Sequence, residues 1–183
     1  MKKTVITFGL ISGAVSSLMM VATVPFEGRI GFAGGLVVGY TAIVLSFLLV
    51  FFGIRSYRDN AGNGQITFMK AFAVGICIAL ISCVFYVVTW EILYYNFLPD
   101  FWDKYGAHTI EKLKASGASD AAIQAQLQQM KKYKELYANP LINAAMTFIE
   151  PFPVGLVITL VSAAVLRRKP QSLPAQSASP ASS

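Results

Sequence analysis

The stretch AFAVGICIALISCVFYVVTW, residues 71–90, decides the fold class because none of its side chains carries a charge. Outside it, residues 4–26 and 30–54 also lack Asp, Glu, Lys and Arg, and residues 138–166 contain a single charge, Glu150. A helix rises 1.5 Å per residue, so about 20 apolar residues cross a hydrocarbon core of about 30 Å. These runs therefore predict four membrane-spanning helices.

The composition is typical of a protein whose surface lies mostly in lipid. Of the 183 residues, 55% are hydrophobic and only 13% are charged, whereas a soluble domain carries about 25% charged residues. We predict an all-α fold, a membrane-embedded four-helix transmembrane bundle that forms one domain over residues 1–169. The helices are expected at about residues 4–24, 32–54, 68–93 and 141–166. Residues 170–183, built mainly from Pro, Ser, Ala and Gln, are expected to form a disordered tail.

Residues 99–139 connect the third and fourth spans and are too polar to cross a membrane. Ser119 follows the helix breaker Gly117 and is a good N-cap for a helix. Apolar and aromatic residues then recur from Ile123 to Tyr137 at helical spacing, after a looser stripe that starts at Trp102. The segment predicts an extramembrane amphipathic helical hairpin that lies on the outer membrane surface or caps the bundle.

Basic residues beside the ends of the spans predict the orientation. One side would hold Lys2, Lys3, Arg55, Arg58, Lys70, Arg167, Arg168 and Lys169. The opposite side carries nearly as many basic residues, but they are mixed with acids in the long loop. Position beside helix ends therefore favours two cytoplasmic termini. Because the net charge of +6 is placed in this way, with no basic helix face, we expect no nucleic-acid partner. The expected partners are the lipid bilayer and either a second copy or another membrane protein.

Small residues recur four positions apart in each predicted span. The glycines concerned are Gly9, Gly13, Gly31, Gly35, Gly39, Gly75 and Gly155. In lipid, helices associate through close backbone approach, which small residues permit. We interpret these glycines as helix contacts and expect Gly35→Leu to weaken the bundle. The alternative is background glycine, which is frequent in membrane helices.

Glu150 is the sharpest candidate for a functional residue. Pro151 and Pro153 lack a backbone N–H, so the carbonyls of Thr147 and Ile149 lose their helical donors, and a kink or break is predicted. Freed carbonyls beside a carboxylate can hold a cation, a proton or a polar ligand. In the alternative interpretation, Pro151 starts the part of the helix that lies deeper in the membrane, and Glu150 is hydrated where the helix enters it. The shallow position of Glu150 in the membrane favours this alternative.

Two further carboxylates are expected near the same level. Counted from Lys70, Glu91 lies about 31 Å along its helix, and Glu27 follows the first span. The three carboxylates would approach one another near the outer face, with Arg29 as a partner. The alternative for Glu91 is an interfacial residue whose side chain reaches towards water.

No other residue pattern predicts a reaction. Cys77 and Cys83 face directions about 240° apart on one helix and are expected to be packing residues. His108 has no second ligand nearby and is expected to be solvated. Hydrolase and zinc-protease patterns do not occur.

The patterns therefore predict a non-enzymatic integral membrane protein that acts through protein or lipid contacts. We expect no catalytic residue, no cofactor and no metal site. One alternative is a small transporter or ion-handling protein that uses Glu150 at the proline-broken helix. Another is an enzyme acting on lipid head groups, which needs a polar pocket that scattered carboxylates do not predict.

Several motifs resemble those of a family of bacterial membrane proteins of unknown function, typical of Bacteroidetes. The motifs are GIRSYRD at 53–59, GQITFMKAF at 64–72, LPD at 98–100, YANP at 137–140, EPFPVG at 150–155 and RRK at 167–169. The resemblance covers most of residues 1–169. It implies four membrane helices in a bacterial inner membrane and no known activity, so it transfers no catalytic residues.

Overall fold

The computed structural model describes the backbone of residues 1–24 and 27–168, and the side chains in these ranges except those of 27–33 and 36. Described residues form helices α1 (Lys2–Thr23), α2 (Glu27–Ala61), α3 (Phe68–Asn96), α4 (Phe101–Ala115), α5 (Asp120–Tyr137), α6 (Pro140–Ile149) and α7 (Pro151–Leu166). The predicted all-α class is confirmed. The predicted tail, residues 170–183, lies outside the described residues.

Within residues 1–24 and 27–168, four helical segments are long and apolar enough to cross a membrane. They are Lys2–Thr23, Val37–Ala61, Phe68–Asn96 and Pro140–Leu166, the last made of α6 and α7 together. They match the four predicted spans and make this a multi-pass membrane protein. The loop between the third and fourth spans folds into α4 and α5, and the Ser119 side chain accepts a hydrogen bond from the Ala122 N–H at 3.3 Å, as expected of the predicted N-cap.

The second helix is longer than predicted at both ends. It begins at Glu27 rather than near residue 32; Pro25 and Phe26 lie outside the described residues. It continues past Ile54 to Ala61. Arg55 and Asp59, one helical turn apart, form an ion pair at 3.7 Å, which favours the extra turns.

Spans that follow one another along the chain run in opposite directions. Along α1, Phe8 lies beside Gly53 and Ser12 bonds to Ser46, so α2 runs antiparallel to α1. An ideal Cβ on Gly13 would lie 2.6 Å from Phe85 Cγ, and one on Gly9 would meet Ile81, so α3 runs parallel to α1. The loop after α2 and the end of α7 meet where Ile66 and Arg168 exchange two backbone hydrogen bonds of 3.1 and 2.9 Å.

The bundle therefore has two distinct ends. We call the end that carries Arg55, Ile66 and Arg168 the basic end, and the opposite end, which α4 and α5 cover, the hairpin end. Towards the basic end, Val50, Ile54, Val74 and Ile78 have no solvent exposure. This half of the interior is a dry aliphatic core.

Most of the predicted packing glycines that the structure describes do lie against neighbouring helices. A Cβ on Gly75 would fall 2.8 Å from both Ile54 Cδ1 and Thr159 Cγ2, and one on Gly155 would fall 2.9 Å from Phe47 Cζ. Gly9 and Gly13 contact α3 in the same way. Such distances leave no room for a side chain without movement of a neighbour.

Gly35 and Gly39 do not behave as predicted. No atom of the described residues lies within 4 Å of an ideal Cβ at either position, so neither glycine is a close contact of another described helix, and the reason expected for damage by Gly35→Leu is not seen there. The side chains around Gly31 lie outside the described residues. Conversely Gly53, which the spacing argument missed, would place a Cβ 2.5 Å from Ile78 Cδ1.

Three serines from three helices meet midway along the interior. Ser12 Oγ lies 3.0 Å from both Ser46 Oγ and Ser82 Oγ, and Ser46 Oγ donates to the Ser12 carbonyl at 2.7 Å. All three residues are buried. Mutual hydrogen bonding satisfies hydroxyls that hydrocarbon would leave without partners. We call this group the serine cluster; it separates the dry core from the hairpin end.

The hairpin of α4 and α5 packs on the bundle through aromatic rings. Trp102 stacks on Tyr133 with ring centroids 5.7 Å apart, and Phe101 meets Trp90 of α3 edge-on at 5.2 Å. Tyr95 at the end of α3 donates to the Tyr137 carbonyl at 3.1 Å. The two amphipathic helices are thereby fixed over one end of the bundle.

Candidate ligand cavity

A cavity of about 810 Å³ lies between the hairpin end of the bundle and the two hairpin helices. Its volume falls within the range of about 300–1,000 Å³ that is usual for small-molecule sites. Gly35 and Gly39 line it from α2. Because both glycines border the cavity, no atom of the described residues lies near the position of an ideal Cβ on either one.

Glu150 lies in the lining of this cavity, at the junction of α6 and α7. The interruption predicted from Pro151 is present, although Glu150 itself keeps helical angles (φ −68°, ψ −58°). The Thr147 carbonyl is not free as expected, because it accepts the Glu150 N–H at 3.4 Å. At this junction the Glu150 carboxylate, rather than a released Thr147 carbonyl, is therefore a polar group available to the cavity.

Tyr86 of α3 is the partner of this carboxylate. Its hydroxyl donates to Glu150 Oε2 at 3.1 Å. In the described part of the chain Glu150 forms no ion pair. A carboxylate accepts up to about four hydrogen bonds, so most of its capacity remains available within the cavity.

The other predicted site residues lie elsewhere. Pro151 is buried against the bundle, whereas Pro153 is exposed on the surface of α7. Glu91 is not among the lining residues, and its Oε1 atom is shielded from solvent and has no hydrogen-bond partner in the part of the chain that the structure describes. The structure therefore does not bring Glu91 to Glu150 in the cavity; the side chains of Glu27 and Arg29 lie outside the described residues.

Aromatic rings form much of the cavity wall. We call six of them the aromatic wall: Tyr86, Trp90, Trp102, Tyr105, Tyr133 and Tyr137. Burial raises the pKa of Tyr137 above its ordinary value, and the negative charge of Glu150 raises it further. The phenol of Tyr137 therefore stays protonated and remains a hydrogen-bond donor at neutral pH.

Four methionines contribute the flexible part of the lining: Met19, Met20, Met130 and Met146. Methionine side chains are unbranched and polarizable, so they adapt to ligands of different shape. Together with the aromatic wall they give the cavity a mainly apolar surface around Glu150, which is the one carboxylate among the described residues that line it.

The cavity reaches the surface beside Lys104 and His108 of α4, both exposed. Lys104 is engaged by Asp100, one turn earlier, at 2.9 Å. The hydrogen bond from Lys104 holds the pKa of Asp100 below its usual value. The positive charge at the rim is thus balanced by an acid on the hairpin itself.

Asn143 fixes the short helix α6 beside the cavity. Its Oδ1 accepts hydrogen bonds from Trp90 Nε1 at 3.1 Å and from the Thr147 hydroxyl at 3.2 Å. The side chain is fully buried. Because Trp90 and Thr147 both line the cavity, these bonds hold α6 against α3 where the cavity needs a fixed wall.

A comparison with models of protein families shows which family the chain belongs to. The model described as "Protein of unknown function (DUF4199)" matches residues 7–168. The chain belongs to this family. No curated protein and no solved structure matches it.

For this DUF4199 protein, the resemblance noted in the sequence is confirmed, and the activity has to be argued from the cavity. Sequence reasoning named Glu150 but missed Tyr86, Gly35 and Gly39 as parts of one site. A polar tyrosine inside an apolar span was an available signal for Tyr86. The function of the two glycines depends on which helix faces them, which spacing alone does not reveal.

Proposed function

We propose that this membrane protein binds a small ligand in the cavity under its hairpin and catalyses no reaction. The observation that carries the proposal is an 810 Å³ cavity lined by adaptable apolar side chains around one carboxylate. Ligand sites combine such a lining with a few polar groups that fix orientation. The sequence predicts a protein that acts through protein or lipid contacts. The proposal is more specific, because it names a small molecule as the partner.

The non-enzymatic part of the proposal is supported by the partners of the polar groups. The Glu150 carboxylate accepts a hydrogen bond from the Tyr86 hydroxyl at 3.1 Å, and a phenol serves less often than a histidine or a second carboxylate as a proton-exchange partner. Among the described residues, no group of three His, Cys, Asp or Glu side chains could hold a metal ion. Binding of a small ligand requires neither a pair of groups that exchange protons nor a metal site.

We place the hairpin outside the membrane and both termini in the cytoplasm of a bacterial cell, in the inner membrane. The placement is supported by the basic residues that gather where Ile66 pairs with Arg168, since basic residues favour the cytoplasmic side. The hairpin has the composition of an interfacial segment. A second copy of the chain or another membrane protein as a partner stays a prediction.

The proposal is tested by filling the cavity without disturbing the helix contacts. Gly39→Phe would project a ring into open space, because no atom lies within 4 Å of a Cβ there. Val37→Phe is the matched control, since Val37 is on the same helix and is 67% exposed. Native mass spectrometry of protein extracted directly into lipid nanodiscs would report retained small molecules.

We expect a retained ligand in the wild type and in Val37→Phe, and its loss in Gly39→Phe. Equal retention in all three proteins would contradict the proposal, as would an empty wild-type cavity. Melting temperatures measured in the same nanodiscs would establish that the Gly39→Phe protein is folded.

Transport is the second candidate function, and the Glu150 carboxylate at the interrupted helix, which forms no ion pair within the described residues, favours it. The dry core argues against a continuous path, since Val50, Ile54, Val74 and Ile78 fill the opposite half of the interior and would have to separate. Flux into liposomes, measured for the wild type and Glu150→Gln, tests this candidate. Equal flux in both proteins, or none in either, would contradict it.

A further inference from the structure

We infer that the cavity takes an organic cation with an apolar body, whose positive charge lies at Glu150 among aromatic rings. The inference rests on the proposed ligand-binding function and names the class of ligand. Three independent features of the lining lead to it: the charge balance, the aromatic rings and the methionines.

The charge balance of the site favours a cation. Glu150 accepts one hydrogen bond, from Tyr86 at 3.1 Å, and forms no ion pair among the described residues. A carboxylate in a partly desolvated site attracts positive charge more strongly than one in water. An anionic ligand would be repelled there, and a neutral ligand would leave the carboxylate unpaired.

The two hairpin lysines that form ion pairs do not supply a positive charge to Glu150. Lys104 at the rim is paired with Asp100 at 2.9 Å, and Lys134 of α5 is paired with Asp103 of α4 at 2.6 Å. Both acids belong to the hairpin, so these lysines are neutralised locally. We therefore expect the positive charge of a ligand to balance the Glu150 carboxylate in the opposite wall of the cavity.

The aromatic wall supplies the second feature. Tyr86 both donates to Glu150 and lines the cavity, and Trp90 lies one turn further along α3 on the same face. Tyr133 and Tyr137 close the site from the hairpin. Ring faces attract ammonium and related cations, and several rings around one carboxylate recognise a diffuse positive charge better than a compact, hydrated one.

The third feature concerns the body of the ligand. Met19, Met20, Met130 and Met146 surround the remaining volume, and such side chains bury apolar groups of varied shape. The ligand class is therefore an amphiphilic organic cation. Its source is either a free molecule or the ammonium head group of a phospholipid, which share this chemistry.

Tetraphenylphosphonium and tetraphenylborate are suitable probes, because they are nearly identical in shape and apolar surface and opposite in charge. Binding would be measured with the full chain in nanodiscs of phosphatidylglycerol, with empty nanodiscs as the background for partition into lipid. For the wild type we expect phosphonium to bind at least about tenfold more tightly than borate. Equal binding of the two ions, tighter binding of borate or no specific phosphonium binding would overturn the inference.

Two variants test whether phosphonium binding depends on the charge of Glu150. We expect Glu150→Gln to weaken phosphonium binding by about tenfold, while Glu111→Gln, which removes an exposed carboxylate from α4, leaves it unchanged. Equal losses in both variants would contradict a specific role for Glu150. The wild-type comparison of the two ions needs no variant, so it decides the charge preference even if Glu150→Gln destabilises the protein.

Failure of this inference is distinguishable from failure of the proposed function. Loss of both ions in Gly39→Phe, with no preference between them in the wild type, would overturn the cation class and keep the cavity as a ligand site. Retention of phosphonium binding in Gly39→Phe would overturn both. Adding phosphatidylcholine, whose quaternary ammonium carries a diffuse charge, to the nanodiscs identifies the source: competition supports a lipid head group, and unchanged phosphonium binding supports a free cation.

Discussion

The two halves of the bundle interior use the same residue type for opposite purposes. At the basic end, Gly75 allows Ile54 and Thr159 to come within 2.8 Å of where its Cβ would lie. Towards the hairpin end, Gly35 and Gly39 face no atom within 4 Å and border a cavity of about 810 Å³. Glycine permits close approach in one half and preserves empty volume in the other.

This difference separates stability from function within one small bundle. The basic-end half is closed by aliphatic side chains without solvent exposure, and dispersion contacts between close helices hold it together. The hairpin-end half gives up such contacts and holds a carboxylate and aromatic rings instead. Bulky side chains introduced in the first half should therefore lower stability, and those introduced in the second should mainly change binding.

The largest expected effect comes from comparing Gly75→Leu with Gly35→Leu. A leucine at position 75 would clash with Ile54, Thr159 and Val50, and we expect a loss of about 3 kcal/mol in the free energy of unfolding. At position 35 the same side chain enters open space, and we expect a change within about 0.5 kcal/mol. Unfolding in detergent, followed by circular dichroism, measures both. Similar losses in the two variants would contradict the contrast between the two ends.

A smaller effect is expected from Tyr86→Phe in the hairpin-end half. The variant keeps the ring in the aromatic wall and removes the donor to Glu150 Oε2. Loss of a hydrogen bond to a partly buried carboxylate should lower the free energy of unfolding by about 1.5 kcal/mol. Tyr133→Phe is the control, because Tyr133 lines the same cavity but its hydroxyl lies 3.4 Å from an exposed glutamine, Gln129. The double variant Tyr86→Phe, Glu150→Gln should restore part of the loss.

Equal effects of Tyr86→Phe and Tyr133→Phe would mean that the bond between α3 and the α6–α7 junction contributes nothing to stability. An unchanged loss in the double variant would mean that the effect of Tyr86→Phe does not pass through the carboxylate. In both cases, the hairpin-end half would be held by ring packing alone.

How far the sequence predicts this molecule depends on the range of the interaction. The four spans follow from apolar length, the Ser119 cap from neighbouring residues, and the interruption at Glu150 from Pro151, so all of these are local signals. The bond between Tyr86 and Glu150 joins residues 64 positions apart and requires the register of two helices. No local pattern contains that register.

The glycines illustrate the same limit more sharply. Spacing predicted one role for Gly75 and Gly39, yet the structure gives them different surroundings, because the neighbours of Gly75 reach it and those of Gly39 do not. The hairpin was predicted as two amphipathic helices, but its role as one wall of a cavity depends on where its aromatic rings meet α3. Most of the candidate site therefore depends on contacts between residues that are far apart in the sequence.

The serine cluster marks the boundary between the two halves, and removing one hydroxyl should have a modest effect. Ser46→Ala deletes the donor to the Ser12 carbonyl and the contact with Ser12 Oγ. Hydrogen bonds between membrane helices contribute about 0.6 kcal/mol on average, so we expect a loss near 1 kcal/mol. Ser116→Ala, at an exposed position after α4, is the control. A loss as small as that of the control, measured by the same unfolding assay, would show that packing alone fixes the boundary.

The smallest expected effect concerns the cover of the hairpin end and its dependence on pH. Because Lys104 lowers the pKa of Asp100 in the folded state, the unfolded hairpin binds a proton first as the pH falls. The resulting stabilisation is present above the usual aspartate value of 3.8 and is lost as the pH falls through the lower folded value. Amide hydrogen exchange in α4, corrected for intrinsic rates, should show local opening becoming easier between pH 5 and pH 3. Asp100→Asn should show a weaker dependence on pH, and the difference should be small because Asp100 is exposed. Identical acid responses in the two proteins would mean that the aromatic contacts with α3, rather than the ion pair at the rim, hold the cover in place.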